Sequence, residues 1–156
     1  MLNGYMIKDT PLSEISLRRY EKPSKLSDRE LVKKFCLSIG LLQPGDSRDV
    51  IVDIMEVMLR AKQEKKHLSS EELTSRVLDS RKKYKLPLNG VANSNVRRQL
   101  RRLRDLFLAE KIKNSYRITE HDALHTSFTE RTEKFLLLSI LERVKEYAKA
   151  LDERYK

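Results

Sequence analysis

From Leu26 to Tyr155 the apolar residues recur mostly at steps of three and four, the spacing of one helix face, and polar or Gly/Pro-bearing breaks divide them into five blocks. In the first, Ser27 and Glu30 have the spacing of a capping box, with Leu26 and Leu31 as its hydrophobic staple. Leu31, Phe35, Ile39 and Leu42 then line one face beside Cys36, until Gly40 turns the chain and Pro44-Gly45 breaks it. The second block is capped at Asp46 or Ser47 and carries Val50, Ile51, Ile54, Val57, Met58 and Ala61. That stripe is wide enough to touch neighbours on more than one side, so this helix belongs at the centre of the core. The third repeats the start signal of the first, with Ser69 and Glu72 as capping box and Leu68 and Leu73 as staple, and packs through Leu73, Val77 and Leu78. A loop with Pro87, Asn89 and Gly90 leads to the fourth, capped at Asn93 or Ser94, where Val96, Leu100, Leu103 and Phe107 form the inward face. The fifth starts near Ser127, with Glu130 completing an S-x-x-E signal. Its residues Leu137, Leu141, Val144, Ala148, Leu151 and Tyr155 step by four and three in turn, a 3.5-residue seam of the coiled-coil kind.

The period changes only between the fourth and fifth blocks. Ile112, then Tyr116 and Ile118, flank Asn114-Ser115, which predicts a short β-hairpin turning at those two residues. Residues 1–25 hold no sustained period and read as a basic arm with Arg18, Arg19, Lys22 and Lys25, of a kind that is more often mobile than placed in a minor groove or on phosphates. The expected architecture is mainly α: a winged helix-turn-helix domain over residues 26–120, with an extra leading helix and a short β-hairpin wing. A long C-terminal helix over residues 121–156 would serve dimerisation through the Leu137 to Tyr155 seam. That helix has nearly balanced charge, which suits a protein partner, either its twin or the leading helix on which it would fold back.

Charge sharpens this picture. The net charge is +10, and between Arg76 and Arg117 there are thirteen Lys and Arg against three acids, so the whole excess lies in about a quarter of the chain. A field this concentrated suits a polyanion. At 100° per residue, Ser94, Arg97, Arg98, Arg101, Arg102 and Asp105 turn away from the apolar face of the fourth helix, with Arg104 on its flank. Solvated helix faces ordinarily mix acids and bases at i,i+4, whereas five arginines share this one with a single acid. Arginine forks pair with two phosphate oxygens or with the O6 and N7 edge of guanine. The residues expected on DNA are therefore Ser94, Asn95, Arg97, Arg98, Arg101 and Arg102 in the major groove, with Lys82, Lys83, Lys111, Lys113 and Arg117 on phosphates.

Other chemistry finds little support. The single cysteine excludes an internal disulfide, and its apolar neighbours make Cys36 a core residue and not a nucleophile. His121 and His125 are spaced i,i+4 like zinc ligands on a helix, but an Asp replaces the usual Glu and no third ligand is evident, so no metal is expected. Glycine-rich phosphate loops and nucleophile motifs are missing, and neither catalytic residues nor a cofactor are expected. The chain shows no signal peptide and no apolar run near the roughly 18 residues of a membrane span, which leads to the expectation of a cytoplasmic protein.

The strings GDSRDVIVDI, ANSNVRRQLRRLRDL and EKIKNSYRITE, with the S-S-E-E helix and the Phe128 to Glu133 entry into the last helix, resemble an archaeal group of predicted winged helix-turn-helix transcriptional regulators. The resemblance spans roughly residues 26–135 and implies a homodimeric regulator of double-stranded DNA. Two other functions fit the same charge: an RNA-binding or ribonucleoprotein module, which needs exposed aromatics for stacking, and a winged-helix adaptor that meets an acidic protein.

Overall fold

The computed structural model describes residues 8–156; the first seven residues of the expected arm lie outside the described residues. The chain folds as α1 (Asp28–Ser38), α2 (Val50–Gln63), β1 (Leu68–Ser69), α3 (Ser70–Lys83), α4 (Asn93–Asp105), β2 (Ala109–Ile112) and β3 (Ser115–Ile118). A 3₁₀ turn (Thr119–His121) then leads into one continuous final helix of three stretches. These are α5 (Leu124–Ser127), a π-type stretch (Phe128–Leu137) and α6 (Leu138–Arg154). The molecule is mainly helical, with one three-stranded antiparallel sheet in the order β1-β3-β2. Among the described residues, no helix is long and apolar enough to cross a membrane.

Both expected capping boxes form: Ser27 with Glu30, and Ser69 with Glu72, each exchange side-chain and backbone bonds. As expected, α2 is the centre of the core, with Val50 to Met58 and Ala61 all buried. Leu73 and Val77 of α3, Val96, Leu100 and Leu103 of α4, and Tyr116 and Ile118 of β3 join it in the core.

Several boundaries move. Helix α2 starts at Val50, later than a cap at Asp46 or Ser47 would give, because the Asp46 carboxylate closes a tight turn onto the Arg48 N–H (2.9 Å) and leaves Asp49 at the cap position. Helix α4 is preceded by Ala92, and Asn93 is already its first residue, with a side chain turned to Thr74 and Glu71 of α3. Ser127 does not cap the last helix. It is fully buried inside it, since the chain becomes helical from Leu124. The hairpin turns at Lys113-Asn114, one residue earlier than expected, with Lys113 at φ 56° and Ser115 already in β3. Leu31 is 48% exposed, because α1 buries Cys36 and Leu37 instead of the Leu31 side of its surface. Leu68, expected only as a staple, also pairs with Tyr116 in β1.

The segment before α1 is fastened to the body. Arg18 donates its backbone N–H to Ser38 O (2.9 Å), and its guanidinium reaches the carbonyls of Leu37 (2.9 Å) and Leu42 (3.3 Å) and the Gln43 Oε1 (2.5 Å). Ile15 and Tyr20 pack against the core. Gly40, at φ +77°, lets this segment approach: a Cβ there would lie 2.8 Å from the Cβ of Ser16. Arg18 thus satisfies the end of α1, where orphan carbonyls need donors, and is not available to a ligand.

Candidate nucleic-acid interface

Helix α4 is held from inside and open outside. Val96, Leu100 and Leu103 have no exposed surface, whereas Ser94, Arg97, Arg98, Arg101 and Arg104 are exposed. No ion pair among the described residues involves any of its five arginines. Five guanidiniums on one rigid rod without a carboxylate partner are electrostatically unbalanced, and they sit where an external anion can reach them.

Amides orient two of them. Asn95 donates to the Gly90 carbonyl (2.8 Å), tying the preceding loop to the helix, and its Oδ1 accepts from Arg98 (3.0 Å) and from Gln99 (3.3 Å). Gln99 in turn accepts from Arg102 Nη1 (2.7 Å), whose Nη2 donates to the Gly40 carbonyl (3.2 Å). Neutral acceptors fix the geometry of Arg98 and Arg102 without cancelling their charge. The periodicity marked the arginines, but the part played by Gln99 depends on which side-chain acceptors face which donors. The i,i+3 spacing of Gln99 and Arg102 was the only hint of it.

A groove flanks α4 on each side. One, of about 760 Å³, lies against the α1–α2 connection and is bordered by Ser94, Asn95, Arg98 and Arg102, with Arg48 on the far wall. The other, of about 480 Å³, lies against β2 and is bordered by Arg101, Arg104 and Lys111 together with the acids Asp105 and Glu110. Lys113 stands exposed at the tip of the hairpin. The structure thus gathers Ser94, Asn95, Arg98, Arg101, Arg102 and Lys111 around one helix, with Arg97 exposed on the same rod.

Three expected phosphate ligands lie elsewhere. Lys83 borders a groove between α2 and α3 with Arg60, Arg76 and Tyr84. Its neighbour Lys82 is exposed on the last turn of α3. Arg117 is paired with Glu110 (2.6 Å), on the face of the hairpin opposite Lys111 and Tyr116, as strand alternation requires. Burial opposes ionisation of Glu110, yet the Glu120 N–H and the Arg117 guanidinium outweigh it and hold the carboxyl below its ordinary value. Arg117 is therefore a balanced structural cation.

Arg81, one of the thirteen cations in the basic quarter, is buried as well. It pairs with Asp49 (2.9 Å) and the fully buried Asp53 (2.5 Å), and Arg29 of α1 binds the same two carboxylates. This network joins α1, α2 and α3. Burial pushes Asp49 upward, but the bonds and charges of Arg81 and Arg29 prevail and keep it lowered. Asp53 sits within the apolar stripe of α2, and neither its spacing nor its neighbours signalled it.

His121 and His125 are not brought together as ligands. Extended backbone at Asp122 and Ala123 separates them, and His121 instead faces His67, with ring centroids 5.5 Å apart. Cys36 is fully buried in the core, as expected, and its burial pushes the thiol pKa up to about 12.

The final helix is anchored at one end and open at the other. The Thr132 hydroxyl, fully buried, donates to the Leu106 carbonyl at the end of α4 (2.6 Å), and Phe135 lies 5.9 Å from Phe107. Beyond Leu137, α6 has no buried residue. Leu141, Val144, Tyr147, Leu151 and Tyr155 are between 44% and 82% exposed. Among the described residues, the expected seam from Leu137 to Tyr155 thus starts at the anchored stretch and runs along α6, which packs chiefly on that stretch of its own helix. Comparison with protein-family models, characterised proteins and solved structures finds no match to this chain.

Proposed function

We propose that this chain is a sequence-specific, double-stranded DNA-binding transcriptional regulator that acts as a homodimer. The observation that carries the reading is the surface of α4: five arginines without an acidic partner, two of them oriented by amides, on a helix locked into the core by Val96, Leu100 and Leu103. A helix is about 10–12 Å across with its side chains, and a major groove is about 12 Å wide. In this reading the body is a winged helix-turn-helix. Its order α2, β1, α3, α4, β2, β3 and the sheet order β1-β3-β2 support that assignment, with α4 as recognition helix and the β2–β3 hairpin as wing. The resemblance to the archaeal group of regulators points the same way.

Arg98 and Arg101 read base edges, with Ser94 at the start of the helix, while Arg97, Arg102, Lys111 and Lys113 hold phosphates. The exposed seam of α6 pairs with a second copy, which sets two half-sites about 34 Å apart. RNA recognition is less well supported: Tyr116 is 5% exposed, and the exposed Tyr84 lies at the end of α3 in the groove with Lys83, apart from the two grooves beside α4.

Replacing Arg98 and Arg101 by Ala tests this assignment. Each substitution is expected to remove about 1–3 kcal/mol of discrimination between target and scrambled duplexes. Unchanged affinity and discrimination in the double variant, with an unaltered melting profile, would contradict the role of α4.

A further inference from the structure

The groove between α4 and the α1–α2 connection has an unexplained feature on its far wall. Arg48 is exposed, forms no ion pair among the described residues, and lines the same groove as Arg98 and Arg102. Asp46 is the one acid among the lining residues, and its carboxylate accepts the Arg48 backbone N–H. Below them lie Leu41, Leu42, Val50 and Ile51, all buried, so the floor is firm. The start of α2 opens on the same groove. Asp49, at its cap position, makes no side-chain capping bond, because its carboxylate is held by Arg29 and Arg81.

We infer that Arg48 grips the phosphate backbone of the DNA strand that runs along the side of α4 away from the β-hairpin. The inference rests on α4 entering a major groove. A helix that nearly fills the groove places one strand along each of its flanks. One flank offers Arg101, Arg104 and Lys111, alongside Asp105 and Glu110; the other offers Arg102 and, from outside the helix, Arg48. The two walls would then clamp the duplex from both sides. Sequence reading left Arg48 out because it stands alone in the GDSRD stretch, outside the basic quarter.

The test is the salt dependence of binding, with the full chain on its selected duplex and on a scrambled one. Arg48→Ala is expected to weaken both duplexes alike and to lower the slope of log affinity against log salt by about 0.9, the share of one phosphate. Arg48→Lys, which retains the charge, is expected to keep the slope. Melting curves check that each variant folds. If Arg48→Ala leaves slope and affinity unchanged while Arg101→Ala weakens binding, the inference is overturned and the proposed function stands. If neither variant changes binding, the major-groove reading of α4 falls as well.

Discussion

Arg81 and Lys82 are adjacent, carry the same charge and end the same helix, yet the structure gives them opposite environments. Arg81 is 2% exposed and binds Asp49, Asp53 and the Pro87 carbonyl, whereas Lys82 is exposed. Removing one member of a buried ion cluster leaves the other charges desolvated and short of partners. Arg81→Met is accordingly expected to cost about 3 kcal/mol of unfolding free energy, and Lys82→Ala to stay within about 0.5 kcal/mol. Urea denaturation of both variants decides the matter, and equal effects would remove Arg81 from the core. The same pair marks what a sequence can disclose. Spacing told which residues share a helix face, so Val96, Leu100 and Leu103 were legible as core and the arginines opposite them as surface. It could not tell a buried cation from a free one, because that depends on Asp49 and Asp53, which lie about thirty positions away and become neighbours only on folding.

At the scale of elements, the helices were legible because each carries its own start signal or stripe. Two polar residues at the helix starts are held by tertiary bonds, and a local turn of Asp46 onto the Arg48 N–H also delays the start of α2. Asp49 is taken by Arg29 and Arg81, and Asn93 by Thr74 and Glu71. The fastening of Arg18 was hidden for the same reason, since its acceptors are backbone carbonyls that no sequence pattern displays. The contact between α4 and the final helix has the most bearing on the proposal. Thr132, itself fully buried, donates to the carbonyl of Leu106, which caps α4, so the helix proposed to read DNA and the helix proposed to pair with a second copy are joined by a hydrogen bond. Thr132→Val keeps the shape but leaves that acceptor without its donor, and is expected to cost about 1–3 kcal/mol. Thr132→Ser, which keeps the hydroxyl, is expected to recover most of the bond, less the loss of one buried methyl. Equal losses in the two variants would assign the effect to packing and not to the bond.

For the molecule as a whole, unpaired arginines and exposed apolar seam residues gather on different helices. The unpaired arginines surround α4, and the exposed apolar side chains line α6, each where the proposal needs it. A helix with this much apolar surface and a 3.5-residue seam is stabilised by pairing. Sedimentation equilibrium is expected to give twice the chain mass of 18.4 kDa for the wild type, and the single mass for a variant with both Leu141→Asp and Leu151→Asp. Both residues lie outside the core, so circular dichroism of the body is expected to persist. A monomeric wild type would contradict the dimer.

The most direct test of the central claim is selection of bound sequences from a random double-stranded DNA pool near physiological salt, with a single-stranded RNA pool as competitor. A dimeric reader using α4 predicts an enriched palindrome with half-sites about 34 Å, one helical turn, apart. Salt-sensitive binding without an enriched motif, or preference for the RNA pool, would contradict it.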